Sequence, residues 1–193
     1  LGVSGGNNMV GNPLYQAFID AGVESGYPRT EDYNGYCQEG FGPMHMTVSG
    51  GVRESTSRAY LRPAMKRPNL TVFKDVLVDK LLLEGKRAVG VTGARGGQPF
   101  ELRANSEVIL SAGSIASPMI LQRSGIGPSA MLESLGIDIK HELAGVGGNL
   151  QDHLEVYFQY RCKQPVSLNE KLNPLSKLMI GVEWVLFKTG LGA

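Results

Sequence analysis

A mixed α/β fold is what this sequence predicts, and three observations carry the prediction. Two short apolar-rich runs, Val76–Leu83 and Ala88–Val91, are joined by a glycine turn at Glu84-Gly85-Lys86, which reads as a β-hairpin. A short, continuously apolar run, Val108–Leu110, leads into a corner of small residues, the pattern of a strand buried on both faces as in a parallel sheet. Two stretches with helical spacing open on Asn-Pro, at Asn12-Pro13 and Asn173-Pro174, so that asparagine caps and proline takes the first helical position.

The remaining elements follow in order. The first helix runs from Asn12 to a terminator at Gly26, with Leu14, Ala17 and Phe18 facing inward. Asp32–Gly51 is rich in glycine, asparagine, proline and aromatics, which is loop chemistry. Ser55–Met65 is a short helix that Pro63 interrupts, and Leu70–Phe73 is a strand. After the hairpin, a turn at Gly96-Gly97 precedes a third strand at Phe100–Arg103. Beyond the small-residue corner, Ser117 caps and Pro118 starts a helix ending at Gly125, and Pro128-Ser129 starts another ending at Gly136. Ile137–Leu143 alternates as a strand. So does Leu154–Cys162, with Leu154, Val156, Phe158, Tyr160 and Cys162 on one face and Glu155, Tyr157, Gln159 and Arg161 on the other. In the last helix Leu175, Leu178, Met179, Val182, Val185 and Leu186 form a stripe expected to be core, as is Trp184.

Composition excludes several functions. With 19 basic and 18 acidic residues in 193 and a formal charge of +1, the chain has no electrostatic footprint for nucleic acid. No apolar run of about 18 residues exists to span a bilayer. The 26 glycines show no collagen-like period and imply tight turns and close backbone approaches. Cys37 and Cys162 lack paired spacing and are expected to be free thiols. The abrupt start at Leu1-Gly2-Val3 and the end just past the last helix suggest a piece of a longer protein.

Most catalytic patterns fail on context. Gly125–Ala130 matches GxGxxA but follows a helix rather than a strand, and Gly145–Leu150 fails at its third position. No GxSxG elbow accompanies the scattered Ser, His and Asp residues. His45 and His141 have no ligand spacing, and no metal site is expected. Glu155 and His153 share one side of a strand after a glycine-rich loop; alone, they read as a solvated strand residue and a hydrogen-bonded loop end.

A resemblance alters that balance. Gly113-Ser-Ile-Ala-Ser-Pro118 continuing to Ser124-Gly-Ile-Gly127 resembles the second signature of the glucose-methanol-choline (GMC) family of flavin oxidoreductases. Arg67–Leu70, Lys86–Val91, Glu107–Leu110 and Asn149–His153 are similar to further landmarks of that family, in the same order. Gly26–Arg29, Asp32–Gly35, Gln38–Pro43 and Lys163–Leu168 are most similar to its bacterial choline-oxidising branch.

The resemblance implies a partial FAD-binding, Rossmann-like domain with part of an antiparallel-sheet substrate domain. Residues 51–152 would be mainly the FAD-binding portion, and 1–50 and 153–193 mainly the substrate portion. It implies FAD as cofactor, choline as substrate, betaine aldehyde as product and a respiratory-chain electron acceptor, at the cytoplasmic side of the inner membrane. The family's amino-terminal GxGxxG unit and its catalytic histidine match nothing here, so no catalytic residue is expected in this chain. Val78 matches a position whose backbone contacts the adenine of FAD. Ala112 and Gly113 match the turn where backbone passes close to the cofactor. Glu155 matches the glutamate that attracts the trimethylammonium head of choline, with His153 ordering its turn and Tyr157 as neighbouring aromatic surface. Another GMC alcohol oxidase or dehydrogenase, such as choline oxidase, and a non-catalytic binding module are the competing readings.

Overall fold

The Asn12-Pro13 signal becomes helix α1, Pro13–Glu24, in a computed structural model that describes residues 1–5 and 12–193. The Asn12 side chain accepts from Leu14 N at 3.0 Å, satisfying one of the orphan donors of the first turn. Helix α1 buries Ile19 and Gly22. A Cβ on Gly22 would lie 2.3 Å from the Phe41 ring, so glycine here makes room for the aromatic that anchors the following loop. Phe41 packs between Phe18 and Tyr27, with ring centroids 5.3 and 5.5 Å away. Thr30, buried, bonds Phe41 through its backbone and Cys37 O through its hydroxyl at 2.9 Å. His45 stacks on Tyr33 at 5.4 Å, with Nδ1 3.6 Å from Asp32.

At the end of this loop a small hairpin forms, β1 (Val48–Ser49) and β2 (Val52–Arg53). Gly50 and Gly51 turn it with φ of +55° and +67°, the left-handed pair that a tight hairpin turn requires. The helix expected at Ser55–Met65 is present as a π-helical turn, Ser57–Leu61, running into α2 (Arg62–Ala64). Pro63 does not end the helical run; it lies at the second position of α2, directly after the π-helical turn. Helix α5, Pro174–Phe187, is capped by Asn173 through Ser176 N at 2.9 Å. Trp184 is half-buried rather than core: its Nε1 donates to Gly51 O at 2.7 Å and Lys188 Nζ lies 3.9 Å from its ring centroid. The expected core stripe of α5 is exposed at all six positions. Helical spacing establishes an apolar face, and no described element of this unit covers it. These elements make one unit, Leu1–Thr71 with Phe158–Ala193.

Val72–Tyr157 makes the other unit. Its frame is an antiparallel meander of β3 (Val76–Glu84), β4 (Arg87–Arg95) and β5 (Gln98–Arg103), turned at Gly85 and at Gly96-Gly97 with positive φ, as the sequence predicts. The register of β3 shifts between Val78 and Lys80, leaving Asp79 as a bulge residue. Helix α3 spans Gly113–Arg123, so it begins at Gly113 rather than at the expected Pro118. Ser117 therefore does not cap it; the Ser117 hydroxyl instead accepts from Ala112 N at 2.9 Å, and Pro118 lies inside the helix. Next come β6 (Ile126–Gly127), α4 (Ser129–Ser134) and β7 (His141–Glu142), with β6 and β7 pairing in parallel. Only His141–Glu142 of the expected Ile137–Leu143 strand is laddered. Leu132, at 0% exposure, is the centre of this unit, with Ile120 and Val146 also buried.

Three expected strands are not formed. Leu70–Phe73 pairs with nothing, although Phe73 packs edge-on against Phe100 at 5.5 Å. Val108–Leu110 lies outside every sheet, with Ile109 76% exposed. Leu154–Cys162 has no ladder, and its apolar face is open to solvent, with Leu154 95% and Tyr160 88% exposed. Each carries strand-type patterning, but a strand exists only when a neighbour supplies its N–H and C=O partners, and no described residue does so.

Candidate functional site

The candidate site is built around the corner leading into α3. Gly113 enters the helix with φ +93°, a left-handed conformation that disfavours a side chain, and nothing lies within 4 Å of where a Cβ would stand. No side chain caps α3 and no acidic residue lies in its first turn. The N-terminal N–H groups of an eleven-residue helix are thus left to partners outside it, with the positive end of the helix dipole behind them.

Beside this turn lies a cleft of about 420 Å³ between Ser114, Ile115, Pro118, Met119 and Gln122 of α3 and the loop 147–151. The loop is held by Gln122 Nε2 donating to Val146 O at 3.1 Å. Gly147, with φ +80°, lies so close to Gln122 Nε2 that a Cβ would approach it to 2.5 Å. Asn149 also takes a left-handed φ, +55°. The glycines of this failed dinucleotide pattern therefore serve loop geometry on the wall of the cleft. Apolar Ile115, Met119 and Leu150 and polar Ser114, Asn149 and Gln151 line the cleft together.

The expected site residues divide as follows. Ala112 and Gly113 adjoin the cleft at Ser114. Val78 is half-buried in β3, paired with Gly93, and does not line it. Glu155 is exposed, has no basic partner among the described residues, and accepts a hydrogen bond from the Tyr157 hydroxyl. His153 contributes its backbone N–H to Asp152 Oδ1 at 2.8 Å. Sequence reasoning missed Gln122 and Asn149; the glycine-rich AGVGGNLQD loop carried a signal for the second. No three His, Cys, Asp or Glu residues gather as a metal site among the described residues, and no described helix is long and apolar enough to cross a membrane. Cys37 and Cys162 are free and exposed.

The hydrogen bond that the protonated phenol donates to Glu155 holds Tyr157 above its ordinary pKa, with a smaller contribution from desolvation. The bond persists below the phenol's ordinary pKa of about 10 and is lost as pH rises through the raised value. Glu155→Gln should therefore lower the pH at which Tyr157 ionises. Ultraviolet difference titration against Tyr157→Phe measures it, and an unmoved titration would show that the bond does not form in solution.

Residues 1–155 match the GMC oxidoreductase family. Over its full length the chain is 63% identical to an oxygen-dependent choline dehydrogenase of Photobacterium profundum, covering 34% of that protein. It is 57% identical over 185 residues to an oxygen-dependent choline dehydrogenase of Pseudomonas putida, 94% of this chain and 33% of the relative. Among solved structures, an FAD-dependent oxidoreductase from Chaetomium thermophilum superposes with a TM-score of 0.78 at 28% identity, over 93% of this chain and 32% of that one. A formate oxidase superposes at 0.80 and 25% identity, over 96% and 32%. The chain spans about a third of the length of the curated relatives it matches.

Proposed function

This chain belongs to the GMC oxidoreductase family, and from that premise we propose that it forms part of an FAD-dependent choline dehydrogenase that oxidises choline to betaine aldehyde. The observation that carries the reading is the 63% identity to an oxygen-dependent choline dehydrogenase along the whole chain. Residues 51–152 contribute mainly to the flavin portion, and 1–50 and 153–193 mainly to the substrate portion. One unit drawn from both chain ends and one from the middle supports that alternation.

The residues present fit part of FAD. The uncapped start of α3 and the open space at Gly113 admit an anionic or carbonyl-bearing group, so Ala112 and Gly113 hold the cofactor by backbone contact, and Val78 meets the adenine through its main chain. FAD, when bound, supplies the acceptor for the hydride leaving the substrate carbon. Glu155 attracts the trimethylammonium head, which has no N–H to donate and must be recognised by charge and aromatic surface. Tyr157, bonded to that carboxylate, orients it and offers a ring face. No residue of this chain is assigned as the base that takes the hydroxyl proton.

The relatives are named oxygen-dependent, whereas the family resemblance implies a respiratory carrier at the membrane. Both are decided by one experiment on the full-length enzyme: anaerobic choline should bleach its visible flavin band, and admitting air restores the band only where oxygen accepts electrons directly.

A further inference from the structure

We propose that Arg123 and Ser124 form a two-residue clamp that positions Val78 relative to the α3 corner, and so sets the affinity for the cofactor; this rests on the assignment of Val78, Ala112 and Gly113 to FAD. The clamp lies at the end of α3 opposite Gly113. Arg123 Nη2 lies 2.5 Å from Asp79 Oδ1, and its Nε donates to the Asp79 carbonyl at 3.3 Å, so one guanidinium grips both side chain and main chain of the bulge residue that follows Val78. Ser124, buried, accepts from Leu81 N at 2.8 Å and donates to Ile120 O at 2.6 Å. That bond satisfies a β3 donor with a side chain 43 residues away.

The geometry asks more of these residues than stability. A pair of which Arg123 is 39% and Asp79 47% exposed contributes little to folding. A planar fork does, however, fix orientation in a way a point charge cannot. Bulges re-aim backbone and side chains, and this one follows directly on the residue assigned to the adenine. Helix α3, about 16 Å long at 1.5 Å per residue, acts as a strut between the Gly113 corner and the clamp.

The test uses the full-length enzyme stripped of FAD and reconstituted, with FAD affinity read from flavin fluorescence well below the unfolding temperature and apoenzyme unfolding measured in parallel. Arg123→Gln and Ser124→Ala should each weaken FAD binding about tenfold, the scale of one lost hydrogen bond to a charged or buried partner. Gly113→Val, which places a branched side chain at a left-handed φ, serves as the direct probe of the site. If it leaves affinity unchanged, the cofactor assignment falls and the clamp with it. If it weakens binding while both clamp variants bind FAD like the parent, the clamp alone is overturned. Clamp variants that lower only the apoenzyme's unfolding temperature reduce Arg123 and Ser124 to structural residues and also overturn it.

Discussion

Replacing Glu155 with glutamine in the full-length enzyme should raise KM for choline about a hundredfold while leaving KM for 3,3-dimethylbutan-1-ol, its uncharged isostere, within about twofold. The magnitude follows from Coulomb's law: unit charges about 5 Å apart at an effective dielectric of about 20 interact by about 3 kcal/mol, or two orders of magnitude in an equilibrium. Glutamine keeps the shape and the capacity to accept from Tyr157, so the change isolates charge. The isostere has the same branched head without the cation, so it reports any general damage to the site. Equal losses on both substrates would remove Glu155 from substrate recognition and return it to the solvated-residue reading.

The second large effect is structural. Leu132 is fully buried, and Leu132→Ala should destabilise its unit by about 3 kcal/mol, the sum of lost transfer energy and a residual cavity. Hydrogen exchange in the segment from α3 to β7 should then accelerate about a hundredfold. Leu135→Ala, three residues on and 64% exposed, should leave exchange nearly unchanged, because little apolar area returns to water there. Equal effects at the two positions would contradict the placement of Leu132 at the centre of this unit.

Legibility in the sequence followed locality. The β3–β5 meander was readable because its turns, Gly85 and Gly96-Gly97, and the runs they join all lie within one short stretch. Caps at Asn12 and Asn173 were readable for the same reason, since asparagine and proline act on donors two or three residues away. The β1–β2 hairpin was missed although Gly50-Gly51 announced the turn, because two-residue strands carry no measurable alternation. Val108–Leu110, Leu154–Cys162 and the α5 stripe show the opposite failure. Their patterning states which face is apolar and says nothing about what covers it, which is a property of a second element. The start of α3 was misplaced because Ser117-Pro118 imitates a cap, whereas the left-handed Gly113 opens the helix.

The candidate site was legible through resemblance more than through chemistry. Ala112 and Gly113 carry no reactive group, and what marks the corner is its backbone shape, the left-handed Gly113, which composition alone does not reveal. Glu155 followed the same route, since one exposed carboxylate on an extended segment is chemically ordinary. The cleft wall at 147–151 was half-visible: its glycines imitate a dinucleotide pattern that fails at the third position, and in the structure Gly147 packs against Gln122. Arg123–Asp79 was invisible in sequence, because a bulge and the residue that grips it, 44 positions apart, leave no periodic trace.

The most direct test of the account is anaerobic titration of the full-length, FAD-loaded enzyme with choline, following flavin absorbance. Stoichiometric loss of the oxidised flavin band is expected with choline, with formation of one betaine aldehyde per flavin reduced. A flavin band that persists with choline, yet bleaches with another alcohol, would contradict the substrate assignment and leave a GMC oxidoreductase of different specificity.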